Sequence, residues 1–296
     1  MTHARYTFGG DEFLFVEVSE DMSLAANFTV TMIARTLQER SLDGIVELCP
    51  ANASLLIRFD PDIISPGDLE QTVRSIEEDV ASSTGSVVPT RIIEVPVWYD
   101  DPVTAEVVSR FREGYHQDPT GNDLDYAAKV NDLEDAAAFI KAHHESPWIV
   151  SMVGFVAGLP FMYQLVEREK QLEVPKYLSP RTDTAPLTVG HGGCFAVVYS
   201  VRGAGGYQMF GIAAAPIFHP ELQGTDREDQ MILFRPGDLV KFRPIEEPEY
   251  RQIQREVEEG TFRYREVPVD FDMGRALAEG NAYNTELVEA LNVDGN

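Results

Sequence analysis

The first part of the chain alternates strand-like and helical patterns of apolar residues. Residues 13–18 are predicted to form a strand, and the apolar positions i, i+3, i+4 and i+7 of 30–37 form one face of a helix. Strand-like runs follow at 44–49 and 54–59, and a turn at 50–53 joins them. This order of strand, helix and hairpin is typical of helices packed on an antiparallel sheet.

A second helix opens with a clear start signal. Ser65 can cap the helix, Pro66 suits its first position, and Asp68 adds an acid to its first turn. The apolar residues of 69–76 then share one helix face. We therefore predict a small α+β domain over residues 1–88.

The middle of the chain has a different pattern. A strand at 92–98 precedes two helical stretches at 103–112 and 124–144. Short apolar runs separated by glycine and proline then predict a closed barrel or a sandwich. These runs are 148–153, 195–199, 208–212 and 239–242. We assign residues 89–245 to this second domain.

The last part of the chain is highly charged. Tyr250, Ile253 and Val257 recur at helical spacing between 246 and 259. We predict a charged C-terminal helix and an extended tail over residues 246–296.

The longest apolar stretch and the first residues of the sequence indicate the cellular compartment of the protein. The longest apolar stretch, 148–162, is interrupted by glycine and proline and is shorter than the roughly 20 residues that span a bilayer. No apolar signal core follows Met1. We expect a cytoplasmic protein without a membrane span.

The net charge and the positions of the cysteines argue against nucleic-acid binding, a disulfide and a metal site. The net charge of −25 would repel a phosphate backbone, so nucleic acid is not an expected partner. Cys49 and Cys194 are far apart in sequence and lack metal-ligand spacing. We expect neither a structural disulfide nor a metal site.

Glycine interrupts the apolar segment 154–163, which ends at Tyr163. Gly154 and Gly158 would let a ligand or another backbone approach closely. A tight barrel corner explains the same glycines without a ligand and is the interpretation that we favour from these residues alone.

Two cations lie in a loop bounded by proline. Lys176 and Arg181, within Pro175-Lys-Tyr-Leu-Ser-Pro-Arg181, can hold a carboxylate or a phosphate. In so acidic a protein they can also be solvated loop cations.

Two glycine-rich segments, 190–193 and 202–208, can aim backbone N–H groups at an anion. Neither matches a phosphate-binding loop or a dinucleotide fingerprint. His191, between glycines, is a candidate for proton transfer or ligand binding, although a lone histidine is more often structural.

These same segments resemble a family that includes allophanate hydrolase subunit 1 and the B subunit of 5-oxoprolinase, and that also forms half of the carboxyltransferase region of urea carboxylase. The runs that carry the resemblance are Ser146-Pro-Trp-Ile-Val-Ser-Met-Val-Gly-Phe-Val-Ala-Gly-Leu-Pro-Phe-Met162, Pro175-Lys-Tyr177, Ala185-Pro186, Gly205-Gly-Tyr-Gln208 and Pro236-Gly-Asp-Leu-Val-Lys-Phe-Arg-Pro244. Together they cover most of the chain and are most similar to the urea carboxylase branch. The resemblance implies an N-terminal α+β domain followed by a cyclophilin-like β-barrel.

One departure bears on the substrate. Members of the family often have Gly-Arg-Thr where this chain has Gly211-Ile-Ala. A cation that is common in the family is therefore missing, and the acceptor need not be urea.

The resemblance implies a carboxyltransferase-type subunit that moves a carboxyl group from carboxybiotin to an amide-like or urea-like nitrogen. It implies that a partner chain supplies carboxybiotin, that a partner subunit uses ATP, and that this chain alone is inactive. The implied partners are a companion carboxyltransferase subunit of similar barrel fold, a biotin carrier protein, a biotin carboxylase and a small amide-like substrate.

We expect the chemistry to rest on two groups of residues. The catalytic candidates are Lys176, Arg181, Tyr163 and His191. The candidates for substrate binding are Gly154, Gly158, Gly205, Gly206, Tyr207 and Gln208.

Two alternatives remain open from the sequence. One is a subunit of an ATP-dependent amide or lactam hydrolase of the 5-oxoprolinase or allophanate hydrolase type. The other is a regulatory module that binds and inhibits a kinase. A shared fold does not separate these functions.

Overall fold

The computed structural model describes residues 3–82 and 87–293. The chain divides into two compact units, which we describe separately. The first unit comprises Met1–Val88 and Phe271–Ala278, and the second comprises Pro89–Asp270 and Glu279–Asn296.

The first unit is an antiparallel sheet with two long helices. Its elements are β1 (Arg5–Gly9), β2 (Phe13–Glu17), α1 (Leu24–Arg40), β3 (Ile45–Pro50), β4 (Ser54–Phe59) and α2 (Pro66–Ser82). The strands lie in the order β1-β2-β4-β3. Ser23 caps α1 by accepting a hydrogen bond from the Ala26 N–H group, which satisfies one of the unpaired donors of the first turn.

Alternation along the strands builds the core of the first unit. On β2, Leu14 and Val16 are fully buried, whereas Phe13 and Phe15 lie on the other face and are partly exposed. The apolar face that the sequence predicts on α1 is confirmed, because its residues 30–37 supply buried side chains to the same core.

The part of the described chain that follows the first sheet contains most of the strands and six helices, five of which lie in the second unit. Its elements are β5 (Val87–Tyr99), α3 (Pro102–Arg110), α4 (Asp123–Val130), α5 (Ala136–Glu145), β6 (Trp148–Val153), β7 (Pro160–Gln164), β8 (Arg181–Thr184), β9 (Thr188–Gly192), β10 (Phe195–Val198), β11 (Gly203–Gly205), β12 (Gln208–Ala213), β13 (Leu239–Pro244), α6 (Glu247–Glu258), β14 (Arg265–Asp272), α7 (Met273–Glu279) and α8 (Asn281–Val293). Strand β5 begins, and β14 and α7 continue, within the first unit.

Seven strands of the second unit close into a barrel. They follow the order β12-β9-β10-β7-β6-β13-β5, and β5 pairs again with β12. Strand β14 joins β5 outside this ring, and β8 and β11 form a separate two-stranded sheet. The α+β fold class and the barrel that the sequence predicts are confirmed.

The closure requires glycine at one position. Gly211 on β12 faces β5, and a Cβ atom there would lie 2.9 Å from the Cα atom of Tyr99. Any larger residue would push the two closing strands apart.

The C-terminal region is more structured than the sequence suggests. The charged helix is α6, and Tyr250 and Ile253 bury its apolar side. The strand β14 and the helices α7 and α8 follow it, where the sequence indicates an extended tail. Within the described residues, no helix is both long and apolar enough to cross a membrane.

Aromatic rings fill the barrel, and two histidines lie among them. The ring centroid of His191 is 5.7 Å from that of Trp148 and 6.2 Å from those of Phe210 and His143. The Nε2 atom of His191 donates to the backbone carbonyls of Leu172 and Gly193, at 3.0 and 3.1 Å. Full burial lowers the pKa of His191 to about 4, because the apolar core disfavours the charged ring.

The burial of His191 predicts that stability depends on pH. An unfolded histidine takes up a proton near its ordinary pKa of 6.5, but folded His191 does so only near 4. The contribution of the neutral, buried His191 is therefore fully present above pH 6.5, and about 3 kcal/mol of stability is lost from this residue as the pH drops through this window.

We expect His191→Gln, which keeps a donor for the Leu172 carbonyl but does not titrate, to make the free energy of unfolding less dependent on pH between about 6.5 and 4.5. Urea unfolding at several pH values measures this, and the same change at the exposed His3 is the control. Parallel curves for wild type and His191→Gln would contradict the assignment.

Candidate functional site

Six of the residues singled out from the sequence lie together beside the barrel. Strand β8 pairs with β11 so that Arg181 lies opposite Gly205, and the carbonyl of Gly206 accepts a 2.7 Å hydrogen bond from the Tyr177 N–H group. The six residues are Lys176, Arg181, Gly205, Gly206, Tyr207 and Gln208. We call this group the β8–β11 cluster.

Arg181 is the most unusual residue of the β8–β11 cluster. Its side chain is fully buried, and in the described part of the chain no acid bonds to Nε or to either Nη atom, nor does any of the three make a hydrogen bond of standard geometry. Its guanidinium carbon lies 4.4 Å from the centre of the Tyr177 ring, a cation–π contact. A buried cation without an anion bonded to it costs several kcal/mol, so this group calls for an anionic ligand.

Tyr199 lies close to Arg181. Burial raises the pKa of Tyr199, and the charge on Arg181, together with a loose hydrogen-bond contact between the two side chains, opposes that rise. The Tyr199 hydroxyl occupies the space where a side chain at Gly205 would lie. Glycine at 205 thus admits this tyrosine, whereas the sequence assigns the close approach to a ligand or to another backbone.

A buried ion pair holds Tyr177 beneath the guanidinium group. The Tyr177 hydroxyl donates to both carboxylate oxygens of Asp123 at 2.9 Å, and Arg112 donates to Oδ1 at 2.5 Å. The Met209 N–H group donates to Oδ2 at 2.8 Å. Burial raises the pKa of Asp123, and these donors oppose the rise, as does the charge on Arg181. The fixed carboxylate fixes the tyrosine ring.

His116 and Gln208 connect the cluster to the loop before it. The Asp118 N–H group donates to Nδ1 of His116, which places the ring proton on Nε2. Nε2 donates to Oε1 of Gln208 at 2.9 Å, and the Gln208 amide donates to the Pro175 carbonyl at 2.8 Å. Burial lowers the pKa of His116, which favours this neutral form.

Lys176 and Tyr207 form the exposed side of the β8–β11 cluster. The Lys176 side chain is exposed, and its ammonium nitrogen lies 5.1 Å from the centre of the half-buried Tyr207 ring. This contact keeps a mobile cation near the cluster without an ion pair.

The other four sequence candidates make their contacts elsewhere. The Tyr163 hydroxyl donates to Gln171, and Gly158, at a φ of +72°, packs against Phe218. Gly154 closes the same loop through a hydrogen bond to Leu159. His191 lies in the barrel core. Their proposed roles stay predictions.

A cavity of about 490 Å³ adjoins the buried ion pair. Arg112 and Asp123 form part of its lining, together with residues of α3 and the Met209 backbone region. No cluster of acids, cysteines and histidines suited to a metal ion occurs in the ranges that the structure describes.

Sequence reasoning missed Arg112, His116, Asp123 and Tyr199. Asp123 follows the capping residue Asn122 at the start of α4, so it has the sequence signature of an ordinary helix-start acid. Its burial depends on a strand that lies far away in the sequence. Tyr177 stands inside the quoted Pro-Lys-Tyr run, and this run is the one signal that points toward it.

Comparisons with known proteins agree on one family. Residues 4–226 match the family described as "Carboxyltransferase domain, subdomain C and D". The chain is 27% identical to the urea amidolyase of Lachancea kluyveri over 260 residues, which is 87% of this chain and 14% of that protein. It is 28% identical to the 5-oxoprolinase B subunit of Bacillus subtilis over 256 residues, which is 83% of this chain and 95% of that protein.

Solved structures show the same relationship. The urea amidolyase of K. lactis superimposes with a TM-score of 0.79 at 26% identity, over 99% of this chain and 18% of that chain. The urea carboxylase of Kluyveromyces lactis gives a TM-score of 0.78 at 26% identity, over 99% of this chain and 26% of that chain. This chain therefore spans only a small part of these longer relatives.

The family match covers well over half of the residues, and the fold agrees over almost the whole chain. The resemblance seen in the sequence motifs is thereby confirmed. This chain belongs to the carboxyltransferase domain family of subdomains C and D.

Proposed function

We propose that this chain is a carboxyltransferase-type subunit of a multi-subunit, biotin-dependent, urea carboxylase-like enzyme. In this role it helps to transfer a carboxyl group from carboxybiotin to an amide-like or urea-like nitrogen. The observation that carries the proposal is the buried guanidinium group of Arg181, to which no acid of the described residues is bonded.

The donor set of Arg181 fits a carboxylate. Three nitrogen atoms with unused donors match the two oxygens of a carboxyl group in the bidentate geometry that arginine prefers. Because Arg181 is fully buried in this structure, side chains that cover it must move aside before a ligand reaches it. Carboxybiotin, when bound, would supply the carboxyl group in activated form.

The residues of this chain would then bind and orient. Arg181 holds the oxygens of the carboxyl group and stabilises the charge on them as the group moves. Tyr177, fixed by Asp123, keeps the guanidinium group in place from below. Lys176 offers a second cation on the exposed side, and the loop that carries it limits the access of water.

The isoleucine at position 212 is an argument that the acceptor is not urea itself. It stands where members of the family often have arginine, and here it is buried against Ala214, Tyr250 and Ile253. The position contributes to packing with α6 instead of presenting a charge. Recognition of the acceptor thus falls to other residues or to a partner chain.

The partners proposed are a companion carboxyltransferase subunit of similar barrel fold, a biotin carrier protein and a biotin carboxylase that uses ATP. Support comes from the lengths of the relatives, since the urea carboxylase of K. lactis continues far beyond the region that this chain matches. The B. subtilis relative is itself one subunit of its enzyme.

A second candidate is a subunit of an ATP-dependent amide or lactam hydrolase. The comparison with the 5-oxoprolinase B subunit of B. subtilis favours it, because that match covers 95% of the relative. In this reaction Arg181 would bind a substrate carboxylate or carbonyl oxygen instead of the migrating carboxyl group.

Replacing Arg181 tests its role in ligand binding separately from its effect on folding. We expect Arg181→Met to lower carboxyl transfer by the assembled enzyme at least about a hundredfold, since a charge-stabilising donor is lost. The free energy of unfolding of the chain should stay equal or rise by about 1–4 kcal/mol, because an unpaired buried charge is removed. Turnover assays and urea unfolding measure the two effects.

The matched control is Arg202→Met. Arg202 is exposed, and its guanidinium group pairs with Asp183 on β8 at 2.7 Å. This change should leave turnover nearly unaltered and shift stability by at most about 0.5 kcal/mol. If Arg181→Met keeps full turnover, or loses stability and activity together, Arg181 is not the ligand-binding cation.

A reconstitution experiment distinguishes the two candidate reactions. We expect the purified chain to show no substrate-dependent ATP hydrolysis, and turnover to appear on mixing with the companion subunit, the carrier and the biotin carboxylase. Avidin should then inhibit the assembled enzyme. Avidin-insensitive cleavage of a lactam such as 5-oxoproline would instead support the hydrolase.

A further inference from the structure

The second unit contains a groove that shares no lining residue with the β8–β11 cluster. It has a volume of about 610 Å³, which suits a small organic molecule. One wall is the segment 216–235 between β12 and β13, and the other is the segment 257–266, which begins in the last turn of α6 and enters β14.

Three arginines without a carboxylate partner line this groove. Arg227 donates only to the neutral amide oxygen of Gln230, at 3.1 and 3.2 Å. Arg263 donates to the backbone carbonyls of Gly260 and Phe262, at 2.9 and 2.6 Å. The exposed Arg235 forms no ion pair with any residue in the described ranges.

This grouping is unusual for so acidic a chain. The sequence has 49 acidic residues and 24 lysines and arginines, so each cation has acids to choose from. Most arginines of the described chain do pair with an acid within 4.0 Å. Those that do are Arg5, Arg35, Arg40, Arg58, Arg74, Arg91, Arg110, Arg112, Arg168, Arg202, Arg243 and Arg251.

The acids of the groove are mostly engaged with other groups. Glu221 accepts from Nδ1 of His219 at 3.0 Å, and Glu266 pairs with Arg91 at 2.6 Å. Asp229 is the remaining carboxylate in the lining. The lining holds four arginines and three carboxylates, so one positive charge remains in excess, which an external anion would neutralise.

The groove is also apolar, which narrows the class of ligand. Ile232, Leu233 and Val257 line it together with the rings of Phe262 and Tyr264. The centroids of these two rings are 5.1 Å apart at an interplanar angle of 83°. Such a surface favours contact with a planar ring.

Arg91 fixes the shape of the groove before any ligand binds. Its guanidinium group donates to the Leu233 carbonyl at 2.5 Å and to Asp238 at 2.9 and 3.2 Å. Two backbone hydrogen bonds, from His219 to Met231 and from Leu233 to Ile217, also hold the segment 216–235 together. A preformed groove loses little entropy on binding.

We infer that this groove binds a small organic anion that carries a planar ring and one oxyanion group, either a phosphate or a carboxylate. The rings and aliphatic side chains contact the planar ring of the ligand. Arg227, Arg235 and Arg263 bind the oxyanion, for which the guanidinium fork is suited whether the group is tetrahedral or planar.

Titration calorimetry of the purified chain tests this with four probes. AMP and benzoate each combine a ring with an oxyanion, whereas adenosine lacks the charge and inorganic phosphate lacks the ring. We expect saturable binding of AMP, of benzoate or of both, at least roughly tenfold tighter than binding of adenosine and phosphate. If AMP binds and benzoate does not, the oxyanion group of the ligand is a phosphate. If benzoate binds and AMP does not, it is a carboxylate.

The variant for this test is Arg227→Gln combined with Arg263→Gln, both of which are exposed in the structure. It should weaken binding of the charged probe at least roughly tenfold. The control is Arg255→Gln on α6, an exposed arginine that does not line the groove and should bind as wild type does. Affinity should also fall as NaCl rises from about 20 mM to about 200 mM.

Three results would overturn the inference. One is the absence of saturable binding of both AMP and benzoate. Another is binding of adenosine that equals binding of AMP. The third is an unchanged affinity in the double variant, with its fold verified by circular dichroism.

Discussion

The buried guanidinium group of Arg181, to which no acid is bonded, determines how the site is organised. Desolvating a charge costs several kcal/mol, and no acid of the described residues is hydrogen-bonded to Arg181. The fold offers Arg181 the face of the Tyr177 ring, the nearby Tyr199 and, at longer range, the charge of Asp123. Much of the surroundings serves to hold this unpaired group. The Asp123 carboxylate, fixed by Arg112, anchors the tyrosine, and glycine at 205 leaves room for Tyr199.

The closed barrel makes this arrangement rigid. Strand β12 carries Gln208 and Met209, both of which bond to groups outside the barrel, so closure of β12 on β5 also fixes the positions of His116 and Asp123. The loop that carries Lys176 is attached to this frame by backbone and amide hydrogen bonds. The proposed binding residues thus lie on a loop that a rigid scaffold positions.

Local structure is easier to predict from this sequence than distant contacts are. Helical periodicity identifies the face of α1, and glycine and proline spacing identifies the barrel strands. A loop motif and a glycine-rich segment point to Lys176, Arg181 and Gln208, and the structure brings them together. Asp123 escapes notice because only a strand many residues later buries it. The strand β14 is missed because charged residues conceal its short alternating pattern.

Binding of a carboxylate by Arg181 can be observed in a crystal structure of the chain with the proposed companion subunit, grown with acetate or bicarbonate. We predict a bound carboxylate or carbonate whose oxygens lie about 2.7–2.9 Å from the Arg181 guanidinium nitrogens. An Arg181 side chain that pairs with an acid of either subunit and leaves no space for a ligand would contradict this role.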